Sequence, residues 1–203
     1  MRDFDLTSIL LALETDGHVV VEQFLADDMI DGLREFVVNA YEQQLTRKAL
    51  TGLTKSGVNN IRGDHIIWLD DTAENTHIQQ YLKQMNVLKN ALNQAFYLNL
   101  HLLESHFAIY PIGSGYAKHL DQFHAQKTRK ISSVLYLNKN WQAVEGGCLR
   151  LYLSELENSD IKYRDIQPLG GSLVLFESER FFHEVLVATR ERVSIAGWFK
   201  TRE

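Results

Sequence analysis

Tyr110-Pro111-Ile112-Gly113-Ser114-Gly115-Tyr116-Ala117-Lys118-His119-Leu120-Asp121 is a turn that runs into a strand. Proline fixes one backbone angle and glycine tolerates the left-handed region, so residues 111–115 read as the turn. Tyr116 to His119 follows as β-forming sequence. Side chains two apart on a strand share a face, so a strand carried through this stretch points His119 and Asp121 the same way. An imidazole and a carboxylate on one face suit a metal ion. His183 opens another β-like run downstream and supplies a third ligand. Two imidazoles and one carboxylate leave coordination positions open, as in the non-haem iron(II) oxygenases. A structural zinc site instead fills four positions, usually with cysteine, and this chain has one cysteine, Cys148. The plainer reading stays open: the chain has eight histidines, H-x-D is a common pairing, and each histidine can be an ordinary surface or core residue.

The sequence around this stretch has β character. From Leu102 onward, short runs of β-formers alternate with turn signals. The runs are Phe107 to Tyr110, Tyr116 to His119, Ile131 to Leu137, Cys148 to Leu153, Ser172 to Phe176, Glu184 to Val187 and Arg192 to Phe199. Glu145-Gly146-Gly147 and Gly170-Gly171 punctuate them. Many short strands at fairly even spacing predict a double-sheet jelly roll or a barrel. Upstream the period is helical. Leu6, Ile9, Leu10 and Leu13 mark a short helix that stops near Gly17, and His18 to Val21 is strand-like. A second helix carries Ile30, Leu33, Phe36, Val37, Ala40 and Tyr41, with Asp27 or Asp28 as its cap. Ala49 to Gly63 loses all periodicity and reads as a long mobile loop, the kind that often serves as a lid. Strand-like His65 to Leu69 precedes a third helix from Asn75 or Thr76 through Phe96. The fold class is α+β, with the helical half packed on the outside of one sheet.

The length of 203 residues suits one domain. A net charge of −5 and a pI near 5.9 argue against nucleic acid as a partner. One cysteine makes no internal disulfide, which fits a reducing compartment. Ile9 to Leu13 is too short for a signal peptide, and no stretch approaches the ~18 apolar residues that span a bilayer. The expectation is a cytoplasmic protein without membrane contact. Cys148 falls on a strand and reads as core rather than as a redox switch.

A second constellation lies at Arg192-Val193-Ser194. Val193, Ile195 and Phe199 share one strand face, suited to packing against helices. Arg192, Ser194, Ala196 and Trp198 share the other, which then points into the barrel. A buried arginine needs an anion, and its planar fork fits a carboxylate. One candidate is a protein carboxylate such as Glu177 or Glu179. The other is a ligand: a 2-oxo acid that reaches the metal with its keto end and Arg192 with its distal carboxylate, which describes 2-oxoglutarate.

In combination these motifs resemble the prolyl 4-hydroxylases of the Fe(II)/2-oxoglutarate dioxygenases, above all the hypoxia-factor prolyl hydroxylases of animals and their bacterial relatives. The resemblance runs from about Asn60 to Phe199. It is carried by Ile61-Arg62-Gly63-Asp64-His65-Ile66-Ile67-Trp68, by the turn and strand quoted first, by Val134-Leu135-Tyr136-Leu137-Asn138-Lys139-Asn140-Trp141, by Gly146-Gly147-Cys148-Leu149-Arg150, and by His183-Glu184-Val185 through Trp198. It implies a double-stranded β-helix (jelly roll, cupin-like) core. Residues 1–203 would form one Fe(II)/2-oxoglutarate dioxygenase domain, with 1–101 as helical support and mobile loop and 102–203 as the core. His119, Asp121 and His183 would hold iron(II). Arg192, with Tyr136 and Ser194, would bind 2-oxoglutarate. Tyr110 and Trp198 would line the metal pocket, and Arg62, Asp64, Tyr110 and Arg129 would meet the substrate. O2 would be the second cosubstrate and ascorbate an accessory cofactor.

The activity so implied is hydroxylation of an unactivated C–H bond, with 2-oxoglutarate leaving as succinate and CO2. A proline presented by a protein is the first expected substrate. No C-terminal helix is expected to help grip a peptide, because the last strand runs nearly to Glu203. Two alternatives stand beside this: a hydroxylase of a free amino acid or other metabolite, and a non-catalytic sensor that binds metal and 2-oxoglutarate without turnover.

Overall fold

A computed structural model describes residues 4–49, 62–70, 72, 74–122, 127–154 and 161–202. Its elements in chain order are helix α1 (Leu6–Asp16), strand β1 (His18–Val21), helix α2 (Asp27–Glu42), strands β2 (Arg47–Lys48) and β3 (His65–Trp68), helix α3 (Thr76–Phe96), then strands β4 (Leu100–Tyr110), β5 (Tyr116–His119), β6 (Arg129–Tyr136), β7 (Leu149–Ser154), β8 (Lys162–Ile166), β9 (Leu173–Glu177), β10 (His183–Val185) and β11 (Arg192–Thr201). A single 3-10 turn, Ala143–Glu145, precedes β7.

The helices begin and end where local chemistry directs. The Asp5 side chain accepts from the Thr7 and Ser8 N–H groups and caps α1. Gly17, at φ 74°, turns the chain out of it, since left-handed backbone is cheap for glycine. Asn75 caps α3 in the same way as Asp5 caps α1. In α2 the expected aspartate cap does not form. Ala26 holds the cap position in extended backbone, and Asp27 and Asp28 lie in the first turn. There they still favour the helix, because the exposed N–H groups carry positive partial charge.

The strands form two antiparallel sheets. Seven run in the order β1-β9-β6-β11-β4-β3-β2, and four in the order β5-β10-β7-β8. Of the two forms that the spacing of strands allowed, a double-sheet jelly roll or a barrel, this is the jelly roll. Alternation divides the large sheet cleanly. Phe107 and Ile109 of β4, Ile131 and Leu135 of β6, Leu173 and Leu175 of β9, and Val193, Ile195 and Phe199 of β11 face the helices. They pack with Leu33 and Val37 of α2 and with Tyr81, Met85, Leu88 and Leu92 of α3. Side chains from the other face, Tyr136, Val174 and Phe176, meet Leu149, Leu151 and Ile166 of the small sheet. The stripe of α3 and the alternation of β4, β6, β9 and β11 thus bury one another, the apolar burial that drives folding.

Three elements upstream of residue 102 are strands of the large sheet: β1 pairs β9, β2 pairs β3, and β3 pairs β4. Strand β8 had no signal in the sequence. Four of its five residues are exposed at a sheet edge, so its sequence needed no apolar alternation. Of the expected mobile loop, residues 50–61 lie outside the described residues. Its first residue, Ala49, donates its N–H to the Asp64 carbonyl at 2.9 Å. Among the described residues, no helix is long and apolar enough to cross a membrane.

Candidate active site

His183 pairs across the small sheet with His119. That register, set by backbone hydrogen bonds, brings the two imidazoles to 4.2 Å between centroids. Asp121 arrives by another route. The strand expected to carry both His119 and Asp121 ends at His119, and the chain bends at Asp121 and Gln122. The Gln122 N–H donates to the Ser178 carbonyl at 3.2 Å, and the Asp121 carboxylate accepts from the Ser132 hydroxyl at 2.7 Å. Strand periodicity therefore placed Asp121 correctly for the wrong reason. Its carboxylate is 3.6 Å from His119 Nε2 and 3.5 Å from His183 Nε2. One ligand atom from each of the three lies within 4.8 Å of the others.

Both rings are held from behind. His119 Nδ1 lies 2.8 Å from the Ala117 carbonyl, and His183 Nδ1 lies 3.1 Å from that of Phe181. A carbonyl only accepts, so Nδ1 carries the proton and Nε2 presents its lone pair to the common centre. Tyr116 stacks on His119 at 3.7 Å and 20°. Burial pushes the His183 imidazole down, with Asp121 pulling it partly back. For Asp121, burial favours the neutral acid, but His183, His119 and Ser132 outweigh it and hold the carboxyl well below the usual carboxylate range. Neutral imidazole and ionised carboxylate are the forms that bind a metal.

Arg192 begins β11 on the inner face and is buried among Tyr110, Tyr136 and Ser194. Its Nε donates to the Gly147 carbonyl at 2.9 Å, and one terminal nitrogen to Ser194 Oγ at 3.3 Å. The guanidinium lies over the rings of Tyr110 (5.2 Å) and Tyr136 (5.1 Å). Neither expected protein carboxylate reaches it: Glu177 pairs with Arg180 at 3.4 Å, and no ion pair to Arg192 exists among the described residues. Among the described residues its second terminal nitrogen and the Tyr136 hydroxyl, which lies against the guanidinium, are both buried with no partner beyond each other. Buried donors of that kind are rare in native proteins. Two of them side by side describe a place for an acceptor, and a carboxylate fits it.

Of the residues expected to meet the substrate, Arg62 and Arg129 are partly exposed, whereas Asp64 is fully buried and serves to hold Arg62. Arg129 stacks on Trp198 at 3.7 Å and donates to the Asp121 carbonyl at 3.3 Å. Arg62 grips Asp64 with two bonds of 2.6 and 2.9 Å, and Asp64 is fully buried. Arg62 also lies over the Tyr116 ring at 5.0 Å and donates to His106 Nε2 at 3.0 Å. Sequence reasoning missed Ser132, Ser178, Tyr116 and His106. Ser132 and His106 had a usable signal, since each shares a strand face with a residue already singled out, Tyr136 and Tyr110. Ser178 and Tyr116 had none, because Ser178 meets Ser132 from a distant element and Tyr116 reaches His119 through a register shift in β5.

Comparison with known proteins agrees with this geometry. The model of the 2OG-Fe(II) oxygenase superfamily matches residues 105–200. The crystal structure of a Pseudomonas putida prolyl-4-hydroxylase is 38% identical, with a TM-score of 0.86, covering 98% of this chain and 100% of that one. A Trichoplax adhaerens prolyl hydroxylase, solved with a peptide fragment of the hypoxia inducible factor oxygen degradation domain, is 28% identical, with a TM-score of 0.84, covering 96% of this chain and 88% of that one. The hypoxia-inducible factor prolyl hydroxylase of Caenorhabditis elegans is 29% identical over 94% of this chain, which spans only 27% of that longer protein.

Proposed function

The chain belongs to the 2OG-Fe(II) oxygenase superfamily, in its prolyl hydroxylase branch, and from that premise we propose that it hydroxylates C4 of a proline within a polypeptide. It is a 2-oxoglutarate-dependent dioxygenase that uses iron(II). The observation that carries the proposed substrate is the match of nearly the whole chain to two prolyl hydroxylases, one of them solved with a peptide.

His119, Asp121 and His183 are the proposed iron ligands. Two imidazole nitrogens and one carboxylate from three side chains leave open positions, unlike a closed structural site. Iron(II) held there would activate O2, the oxidant, with 2-oxoglutarate as co-reductant: one oxygen atom would enter the substrate C–H bond, the other succinate, and CO2 would be released. The protein's own residues bind, orient and exclude water. Ser132 fixes the rotamer of Asp121, and the Ala117 and Phe181 carbonyls fix both ring planes. Arg192 and Tyr136 are the proposed seat of the distal carboxylate, for which they hold unpaired buried donors. Trp198, stacked with Arg129, is the proposed shield of the metal side against solvent.

The test is 2-oxoglutarate turnover by the iron(II)-loaded enzyme with proline-containing peptides. Peptide-dependent succinate, and a peptide heavier by one oxygen on its proline, are the expected results. Robust turnover with free amino acids and none with any peptide would overturn the polypeptide reading and favour a metabolite substrate.

A further inference from the structure

We propose that His106 is a specificity-determining residue whose Nδ1–H donates to a backbone carbonyl oxygen of the substrate. This rests on the polypeptide reading above. His106 lies on the inner face of β4, in line with Ala108 and Tyr110, and is almost fully buried. Its ring sits between Trp68 (4.8 Å) and Trp198 (5.5 Å). Trp68 itself is 51% exposed.

The hydrogen bond from Arg62 decides which ring nitrogen carries hydrogen. A guanidinium has donors and no acceptor, so His106 Nε2 must offer its lone pair and Nδ1 must carry the proton. Arg62 cannot turn away easily, since Asp64 holds it by two bonds. Burial and then the neighbouring Arg62 charge push the imidazole down to about 4, so the ring stays neutral and keeps one tautomer. Nδ1–H is then a fixed donor, buried, and without a partner among the described residues.

The orphaned polar side-chain atoms fall into two groups. Tyr81, Gln84 and Ser105 belong to the helix side, at α3 and the outer face of β4. Arg192, Tyr136 and His106 all belong to the inner face. Arg192 and Tyr136 lie together and are met by one carboxylate. His106 is elsewhere: it pairs with Ala196, four residues along β11 from Arg192. Four strand residues span about 13 Å, so the distal carboxylate seated at Arg192 does not itself meet His106. The metal ligands stand at that same end, because Ser132, which holds Asp121, pairs with Trp198. Among the described residues no protein group meets His106 Nδ1, and it lies toward the metal end of the inner face, where the substrate must present its reacting carbon. An uncharged acceptor suits an uncharged donor, and the recurrent uncharged acceptor of a polypeptide is its carbonyl.

Two substitutions divide the ring's functions. His106→Gln keeps an acceptor within reach of Arg62 and loses the donor at Nδ1. His106→Asn keeps a donor near Nδ1 and loses the acceptor. In peptide-dependent turnover, His106→Gln should raise the peptide KM about tenfold, the share of one hydrogen bond, and His106→Asn should stay within about threefold of the parent. The 2-oxoglutarate KM and the slow succinate formation without peptide should be unchanged in both. A peptide KM unmoved by His106→Gln would overturn the proposal. So would an Asn variant worse than Gln, which would mean that His106 only steadies Arg62, or equal losses in peptide and 2-oxoglutarate KM, which would mean a structural role. A parent enzyme inactive on every peptide would instead sink the polypeptide reading, and this proposal with it.

Discussion

At the scale of single residues, the site depends on side chains whose hydrogen bonds are complete on one side and open on the other. Arg192 is the clearest case. Its Nε is taken by Gly147 and one terminal nitrogen by Ser194, which leaves the other terminal nitrogen free, among the described residues, for the proposed carboxylate. Lysine would bring the charge without the fork. Arg192→Lys should raise the 2-oxoglutarate KM about 10–100-fold, the worth of a charge-assisted hydrogen bond. Iron retention, read by metal analysis after gel filtration, should be unaltered. Equal KM values would remove Arg192 from the carboxylate seat. His106 makes a prediction about acid. Its pKa falls from 6.5 to about 4 on folding, through burial first and Arg62 second. As pH drops, the unfolded chain takes the proton before the native one does. The stability this group contributes is complete above 6.5 and is lost between 6.5 and about 4, on the order of 3 kcal/mol. His183 is lowered too, so the informative quantity is a difference. Unfolding free energy of the metal-free protein should fall less steeply across this window in His106→Gln than in the parent. Identical slopes would show that His106 is not buried neutral.

At the scale of elements, strand register and tight turns bring these side chains together. The Gly146-Gly147 turn shows how narrow the tolerance is. Gly147 has φ +70°, and a Cβ there would lie 2.9 Å from Ala188 Cβ and 3.0 Å from Trp141 Cζ2. Its carbonyl is also the acceptor for Arg192 Nε. Gly147→Ala should cost roughly 1–3 kcal/mol of stability from the left-handed backbone and crowding, measured by urea unfolding. It should also raise the 2-oxoglutarate KM, because Arg192 loses its backstop. A stable variant with parental KM would show that the turn adapts freely. Turns and alternation were the legible part of the fold. The runs from Phe107 to Phe199 marked seven strands, and the split of β11 into an Arg192 face and a Val193 face is the split observed. What was illegible had a physical cause. Strand β8 is exposed and polar, so it carries no period. The bend at Asp121 depends on Ser178 and Ser132, which come from other parts of the chain. His106 owes its meaning to Arg62, Trp68 and Trp198, three partners spread over more than a hundred residues.

For the whole molecule, the two faces of the large sheet have separate duties. One face meets the helices and holds most of the apolar core. The other carries Arg192, Tyr136, His106 and Ser132 and meets the small sheet, which brings His119 and His183. A sheet braced along one whole face can carry polar side chains on the other without losing its register. The helix layer is therefore expected to set stability and the inner face to set chemistry, with little crossing between them. Leu88 of α3 tests this, being fully buried in the helix-side core and remote in sequence from every ligand residue. Leu88→Ala removes its packing and leaves a cavity, at a cost of about 2–5 kcal/mol. In thermal and urea unfolding the loss should be plain. In the folded fraction, at a temperature well below the lowered midpoint, KM for 2-oxoglutarate and iron retention should match the parent, because the sheet moves as a unit and its inner register is fixed by β4, β6 and β11 hydrogen bonds. A variant that keeps its stability would mean that the helix layer is not the main support. A variant whose 2-oxoglutarate KM shifts by an order of magnitude while still folded would mean that strain in the helix layer reaches Arg192 through the sheet, and that the two faces are coupled.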